Sequence, residues 1–230
     1  WNGWVDLRAP WPPVRGWVAQ QLVKLAATAS SEADQALVVD SDVVFVRPFG
    51  PLSGGEPGAE LLYRLPGAVD GRLPRHVLWD DVARRLLGLP PSGAATRHDY
   101  ICWPCPWSPH VVRALLERIS QVAGGAPWAR VIGRELHVSE MVLYGVFVDE
   151  VISRTAPVAH IDDTRCLTQP DEIAFDQAQM RAFVRGVRPT DVAVMVSAKS
   201  GTGIDVRRAE IARLTQALGD ERAGQSNAIR

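Results

Sequence analysis

The segment ALVVDSDVVFV, residues 36–46, constrains the fold more than any other part of the chain. Its first half is an apolar run that ends in a carboxylate, which predicts a buried strand. Asp40 and Asp42 are two positions apart, so a regular strand would place both carboxylates on one face. Two carboxylates this close repel one another unless a cation lies between them, and hard divalent metals prefer oxygen ligands. The alternative is a strand end with two solvated acids.

Composition limits the class of protein that can contain this strand. The 230 residues are 47% hydrophobic and 22% charged, which provides a sizeable core and excludes a disordered chain. The 25 basic and 26 acidic residues balance, which excludes a nucleic-acid binder that acts through bulk positive charge. The sequence contains no transmembrane segment, because no apolar run approaches the roughly 20 residues that cross a bilayer. The three cysteines are too few for a disulfide framework and favour a reducing, cytoplasmic location.

Hydrophobic periodicity predicts a single α/β domain over residues 1–218 and a disordered tail at 219–230. Helices are predicted at 16–30, 77–89, 108–124 and 204–218, with a short one from Ser139 to Gly145. Strands are predicted at 36–40, 43–46, 61–65 and 192–196. The Trp- and Pro-rich residues 1–16 favour an irregular, packed lead-in, and residues 50–58 favour a turn-rich loop.

Two kinds of enzyme carry Asp-x-Asp after a hydrophobic strand. One is the glycosyltransferase of the GT-A fold, in which the motif binds a metal and a nucleotide-sugar. The other is the haloacid-dehalogenase-type phosphatase, in which the first Asp, here Asp40, attacks phosphorus. The phosphatase requires a lysine before an acid pair, whereas Asp162-Asp163 precedes the only downstream lysine, Lys199. The phosphatase is therefore the second choice.

Five features in one order resemble a known family. They are GWVAQQLVKLAA (16–27), ADQALVVDSDVVFVRPF (33–49), HDYICWPCPWSPHVVRALLERI (98–119), SEMVLYGVFV (139–148) and His160. Together, over roughly residues 1–165, they resemble bacterial GT-A-like glycosyltransferases of polysaccharide biosynthesis that carry a domain-of-unknown-function label. The resemblance implies a Rossmann-related mixed sheet flanked by helices. It also implies a nucleoside diphosphate-sugar donor, Mn²⁺ or Mg²⁺, and a glycan or lipid-linked acceptor, with peripheral membrane association possible.

The resemblance assigns the metal and donor residues. Asp40, with Ser41, would contact the donor, and Asp40 would also face the metal's water shell. Asp42 would bind the metal directly, and His160 would supply a further ligand. A packed or surface histidine is the alternative for His160.

The remaining assignments concern the diphosphate, the base and the acceptor. Gln21 and Lys24 share a helix face and could meet diphosphate oxygens, although a solvated lysine is the simpler interpretation. Glu140 is the candidate general base on an acceptor hydroxyl, although Glu is also common in a helix first turn for dipole reasons. Trp103, whose ring could stack on a sugar, and Asp99 are assigned to acceptor binding.

The chain departs from the family pattern at two places. Only 39 residues precede Asp40, where a GT-A fold places its first strand-helix-strand units, and residue 1 is Trp rather than Met. We therefore expect an N-terminally incomplete fold that belongs to a longer protein. The second place is His160-Ile161-Asp162-Asp163, where an aromatic residue is expected to follow.

Two other motifs compete for a function. Cys102-Trp103-Pro104-Cys105 has the spacing of a redox pair, but the predicted helix starts too late to activate the first thiol, so packed thiols are favoured. The segment 196–201, VSAKSG, resembles the guanine-contacting segment of small GTPases, but the sequence has no phosphate-binding G-x-x-x-x-G-K-[ST]. A catalytically silent GT-A-like binding module remains the third hypothesis.

Overall fold

The computed structural model describes residues 3–6, 9–50, 56, 58–170 and 172–228, with side chains for 14–50, 56, 58–170 and 172–220. The strands are β1 (Gly3–Asp6), β2 (Ala9–Arg15), β3 (Ala36–Val38), β4 (Val43–Phe45), β5 (Glu60–Tyr63), β6 (Leu65–Val69), β7 (Arg97–Asp99), β8 (Cys105–Trp107), β9 (Val158–Ile161), β10 (Cys166–Gln169) and β11 (Ala193–Val196). The helices are α1 (Gly16–Ala29), α2 (Pro74–Leu86), α3 (Pro109–Val122), α4 (Trp128–Gly133), α5 (Glu140–Glu150), α6 (Gln177–Val184) and α7 (Ile204–Ala228). The chain is therefore an α/β protein, as predicted.

Tertiary contacts divide the chain into two compact units, each built from separate stretches of sequence. The first unit comprises Trp1–Val38, Ser53–Ile101 and Cys105–Asp162. The second comprises Val39–Leu52, Cys102–Pro104 and Asp163–Arg230. Each unit contains both helices and strands, so each is itself of the α/β type.

Among the described residues, the first unit contains four two-stranded sheets and the helices α1 to α5. The pairs β1–β2, β3–β8 and β6–β7 are antiparallel, and β5–β9 is parallel. Helix α5 is central, because all of its residues from Glu140 to Val148 are buried and its sequence is apolar around the whole helix. Helix α3 starts at Ser108-Pro109 as predicted, and its buried side chains Val112, Leu115 and Ile119 follow helical spacing.

The predicted end of α5 at Gly145 is wrong. The helix continues to Glu150, and Gly145 lies in its interior. A Cβ atom added at Gly145 would lie 2.2 Å from Cγ of Tyr100. Glycine is therefore required here for close packing against a ring and not for a helix C-terminus.

The second unit contains a three-stranded mixed sheet in the order β10-β11-β4, together with α6 and α7. β10 and β11 are parallel, and β4 is antiparallel to β11. β11 is buried on both faces, as predicted: Val194 and Val196 contact one hydrophobic cluster, whereas Ala193 and Met195 contact another. The first cluster packs the sheet against α6 and α7 through Met180, Val184 and Ile211.

Both ends of the chain differ from the sequence-based prediction. The lead-in forms the antiparallel hairpin β1–β2, because a two-stranded ribbon tolerates prolines that a central strand would exclude. Helix α7 runs through residues 219–228, where a disordered tail is predicted, because these residues contain no proline and include several good helix formers. Most of the predicted loop at 50–58, namely 51–55 and 57, lies outside the described residues.

None of the helices in the described part of the chain is long and apolar enough to cross a membrane.

Candidate functional site

The Asp40–Asp42 segment lies at one edge of the three-stranded sheet of the second unit. β4 begins at Val43 and pairs with Met195, near the carboxyl end of β11. β10 ends at the same edge, because Gln169 pairs with Val196. The carboxyl ends of two parallel strands and the start of a third therefore meet here, which is where α/β sheets commonly bind ligands.

A turn presents the two acids, so the expectation of one regular strand with both carboxylates on a single face is wrong. β3 ends at Val38, β4 begins at Val43, and the Val43 amide donates a 3.2 Å hydrogen bond to the Asp40 carbonyl. Ser and Asp favour turns because their side chains compete for local backbone groups. Ser41 is exposed at this turn, and Asp42 is half-buried.

Asp40 is held by a tryptophan. The indole Nε1 of Trp103 donates a 3.1 Å hydrogen bond to Asp40 Oδ2. The Trp103 side chain is partly buried against the cluster of Cys166, Val192, Ala193 and Met195. The packed ring therefore fixes the direction of the N–H group, and with it one oxygen of the Asp40 carboxylate.

Asp42 is held by the chain that follows β11. Its Oδ2 accepts a 2.9 Å hydrogen bond from the backbone amide of Ala198. Within the described residues its second oxygen, Oδ1, has no hydrogen-bond partner. A carboxylate with one anchored oxygen and one unengaged oxygen suits a cation ligand.

The donor atoms at this edge are carboxylate oxygens, the type that hard divalent metals prefer. Among the described residues, no group of three or more His, Cys, Asp and Glu is arranged to hold a metal ion. Mg²⁺ and similar ions are commonly bound by one or two carboxylates and complete their coordination with substrate phosphates and water. The pair Asp40 and Asp42 matches that pattern, and metal binding stays a prediction.

Three predicted residues converge in the first unit. Lys24 Nζ lies 2.7 Å from Glu140 Oε1, and the Gln21 side-chain carbonyl accepts a 2.9 Å hydrogen bond from the Glu140 amide. Gln21 and Glu140 are buried, and the Lys24 side chain is only 15% exposed. Ser139 caps helix α5, which begins at Glu140, by accepting a hydrogen bond from the Val142 amide. This cluster anchors α5 to α1, which gives all three residues a structural role; their assignment to diphosphate and acceptor chemistry stays a prediction.

His160 belongs to a polar cluster around Asp149, also in the first unit. His160 Nε2 lies 3.0 Å from Asp149 Oδ1, the Tyr100 hydroxyl donates to Asp149 Oδ2 at 2.9 Å, and Arg64 contacts both oxygens. Burial alone would raise the pKa of Asp149, but the hydrogen bonds from His160 and Tyr100 and the charge of Arg64 lower it below its ordinary value. Burial next to this carboxylate raises the pKa of Tyr100.

An imidazole oriented by a carboxylate through one nitrogen is also usual for histidines that bind metal through the other. The role of His160 as a metal ligand therefore stays a prediction. Sequence reasoning did not find Asp149. The only signal was an acid at the end of an otherwise apolar helix, FVDE at 147–150.

The predicted acceptor residues lie in different units, with Trp103 in the second and Asp99 in the first. Asp99 Oδ1 accepts a 3.0 Å hydrogen bond from the Ile101 amide. Burial raises the pKa of Asp99, and it lowers the pKa of the neighbouring His76. Asp99 is therefore a carboxyl group that its surroundings disfavour in the charged form.

Cys102 and Cys105 are packed thiols, as predicted, and Cys166 is packed as well. All three are buried, and none of them forms a disulfide bond. Burial raises the pKa of Cys166 to about 11, so this thiol is protonated at neutral pH and is a poor nucleophile.

The family model described as "Family of unknown function (DUF6492)" matches residues 5–198. Comparisons with curated proteins and with solved structures gave no significant match. Because the family model covers well over half of the sequence, the chain belongs to this family of unknown function, DUF6492.

Proposed function

We propose that this protein is a metal-dependent glycosyltransferase of the GT-A type that transfers a sugar from a nucleoside diphosphate to a glycan or lipid-linked acceptor. The observation that carries the proposal is the Asp40–Asp42 turn at the sheet edge of the second unit, where Trp103 donates to Asp40 Oδ2 and the Ala198 amide donates to Asp42 Oδ2. The resemblance of residues 1–165 to GT-A-like enzymes supports the same activity. Cytoplasmic location, with possible peripheral membrane association, is part of the proposal.

In the proposed transfer reaction, neighbouring groups hold the two carboxylates in place. Trp103 orients Asp40, and the Ala198 amide orients Asp42, so neither carboxylate has to reorganise when a cation binds. When bound, Mn²⁺ or Mg²⁺ would neutralise charge on the departing diphosphate. The bond from the anomeric carbon to the phosphate oxygen breaks and its electron pair leaves with the diphosphate. The acceptor oxygen bonds to that carbon, and its proton passes to a base on the protein.

Glu140 is the proposed base. Its buried ion pair with Lys24 would have to open, or to lie beside the acceptor hydroxyl, for that role. A Glu140→Gln variant that folds normally and keeps near-full turnover would exclude Glu140 as the base.

The test is thermal unfolding with Mn²⁺ and a panel of nucleoside diphosphates. A ligand at about 100 times its Kd that binds only the folded state adds about 2.7 kcal/mol of stability, which is readily seen in Tm. We expect a joint shift with metal and one nucleotide that is lost in Asp42→Asn, a change that retains the oxygen facing Ala198. Asp34→Asn, at an exposed acid in the first unit, is the matched control. Absence of any joint shift in the folded wild-type protein would contradict the proposal.

A phosphatase is the second candidate, because such an enzyme needs a lysine near its acid pair. Lys199 directly follows Ala198, whose amide donates a hydrogen bond to Asp42 in the Asp40–Asp42 turn. It would use Asp40 as nucleophile and form a phosphoaspartyl intermediate. Metal-dependent release of inorganic phosphate from p-nitrophenyl phosphate, abolished in Asp40→Asn, would favour it over the transferase. A protein with neither activity and no ligand-induced Tm shift would be a silent binding module.

A further inference from the structure

We propose that Lys199 binds the phosphate group of the substrate at the Asp40–Asp42 edge, which is the donor diphosphate if the proposed function holds. Lys199 lies outside the set of residues that the sequence assigns to the site. The inference rests on the proposed function only for the identity of the phosphate, because its placement follows from contacts within the second unit.

The segment that carries Lys199 is fixed to the sheet edge on two sides. The Ser197 amide donates a 3.0 Å hydrogen bond to the carbonyl of Gln169 at the end of β10. The Ala198 amide donates to Asp42 Oδ2 at 2.9 Å. Lys199 therefore follows directly on a residue that contacts the acid turn, and its position relative to that turn is fixed by the sheet.

The amides of Lys199 and Ser200 are engaged within the segment, so the Lys199 side chain is what this residue offers to a ligand. The Lys199 amide donates to Ser197 Oγ at 3.2 Å, and the Ser200 amide donates to the Ser197 carbonyl at 3.0 Å. Ser200 Oγ donates to Thr202 Oγ1 at 2.8 Å, and both of these side chains are buried. Lys199 is exposed and, within the described part of the chain, forms no ion pair.

The charges at this edge explain why a cation is needed. If the metal of the proposed function binds, two carboxylates and one divalent ion would sum to zero, and the metal site alone would leave a diphosphate uncompensated. A lysine is a compact charge with three donors and is a common phosphate ligand. Lys199 would supply positive charge from the chain that also fixes Asp42, in addition to Arg207, whose guanidinium donates to the Val196 carbonyl at 3.3 Å.

The test measures binding and does not depend on turnover. Inorganic pyrophosphate is titrated calorimetrically into wild type, Lys199→Ala and Lys199→Arg, each with and without Mn²⁺. Loss of a charge-assisted hydrogen bond predicts pyrophosphate affinity about tenfold weaker in Lys199→Ala and largely retained in Lys199→Arg. Mn²⁺ affinity should be unchanged in Lys199→Ala, and Arg208→Ala, at an exposed cation on α7, is the control. Because Lys199 is exposed, its replacement should not disturb folding.

Each outcome decides the inference. Wild type that does not bind pyrophosphate, or Lys199→Ala that binds as tightly as wild type, overturns it. A third outcome is that Lys199→Ala weakens pyrophosphate binding although Mn²⁺ does not bind the wild-type protein. That result would support phosphate binding by Lys199 and contradict the proposed metal-dependent transfer. Parallel titrations with a nucleoside diphosphate and with phenyl phosphate identify the kind of substrate that carries the phosphate. If Lys199-dependent binding is tighter for the nucleoside diphosphate, the substrate is a nucleotide donor. If it is tighter for phenyl phosphate, the substrate is a phosphomonoester.

Discussion

The indole Nε1 of Trp103 donates a 3.1 Å hydrogen bond to Oδ2 of Asp40, although the two residues are 63 positions apart in the sequence. The ring packs on the cluster that includes Cys166 and Met195. The hydrophobic packing of one residue therefore sets the direction of a carboxylate at the candidate site. Trp103 therefore orients the Asp40 carboxylate, a role separate from its proposed contact with an acceptor sugar.

Trp103→Phe should separate the hydrogen bond to Asp40 from the packing of the aromatic ring. Most of the aromatic packing remains while the N–H donor is lost, so we expect unfolding free energy to fall by about 1–2 kcal/mol. A metal-binding carboxylate that loses a hydrogen bond from a neighbouring group binds metal more weakly. Without the Trp103 N–H group on Asp40, Mn²⁺ affinity should therefore fall by about tenfold. Urea unfolding and Mn²⁺ titration provide the measurements. Trp128→Phe, in the first unit, is the control, and unchanged Mn²⁺ affinity in Trp103→Phe would contradict the positioning role.

Gly145→Ala should destabilise the protein even though alanine is the better helix former. The added Cβ would lie 2.2 Å from Cγ of Tyr100, so the ring or the helix must move. Overpacking of this kind costs about 1–3 kcal/mol and outweighs the roughly 0.5–1 kcal/mol gained in propensity. The matched control is Gly219→Ala in α7, where nothing lies within 4 Å of the new Cβ and a small gain is expected. Equal effects of the two substitutions in urea unfolding would refute this packing argument.

Asp99→Asn should make the protein more stable at neutral pH. Burial raises the folded-state pKa of Asp99 above its ordinary value of 3.8, so ionisation costs stability as pH rises through the folded-state pKa. Asparagine does not ionise, and its side-chain oxygen can still accept the hydrogen bond from the Ile101 amide. We expect a higher urea midpoint than wild type at pH 7 and a difference that shrinks below about pH 4. A lower midpoint at pH 7, with the difference constant down to pH 4, would show that burial does not control this carboxyl group.

The ion pair between Lys24 and Glu140 should be strongly coupled. The two side chains are 15% and 7% exposed, so removal of either partner leaves a charged group in a largely dehydrated position. Glu140→Gln alone should cost about 3 kcal/mol of unfolding free energy. In a double-mutant cycle with Lys24→Met, the double variant should lose less than the sum of the single losses, by about 1–3 kcal/mol. Additive losses would mean that the pair does not form in solution.

The elements whose pattern is local could be predicted from the amino-acid sequence. Helical spacing predicted α1 and the Ser108-Pro109 start of α3, and an unbroken apolar run predicted β11. The acid pair after an apolar run identified the segment that the sheet of the second unit places at its edge. In each case the signal lies within a few consecutive residues, because periodicity and capping depend on near neighbours.

Features that depend on a distant partner in the sequence could be recognised only in the folded structure. Gly145 has the local signal of a helix end, but the Tyr100 ring makes it an interior packing position. Lys24 and Glu140 pair across 116 positions, and Asp42 contacts Ala198 across 156. No local pattern encodes such separations. They result from how apolar faces pack, and that packing decides which polar side chains meet at the candidate site.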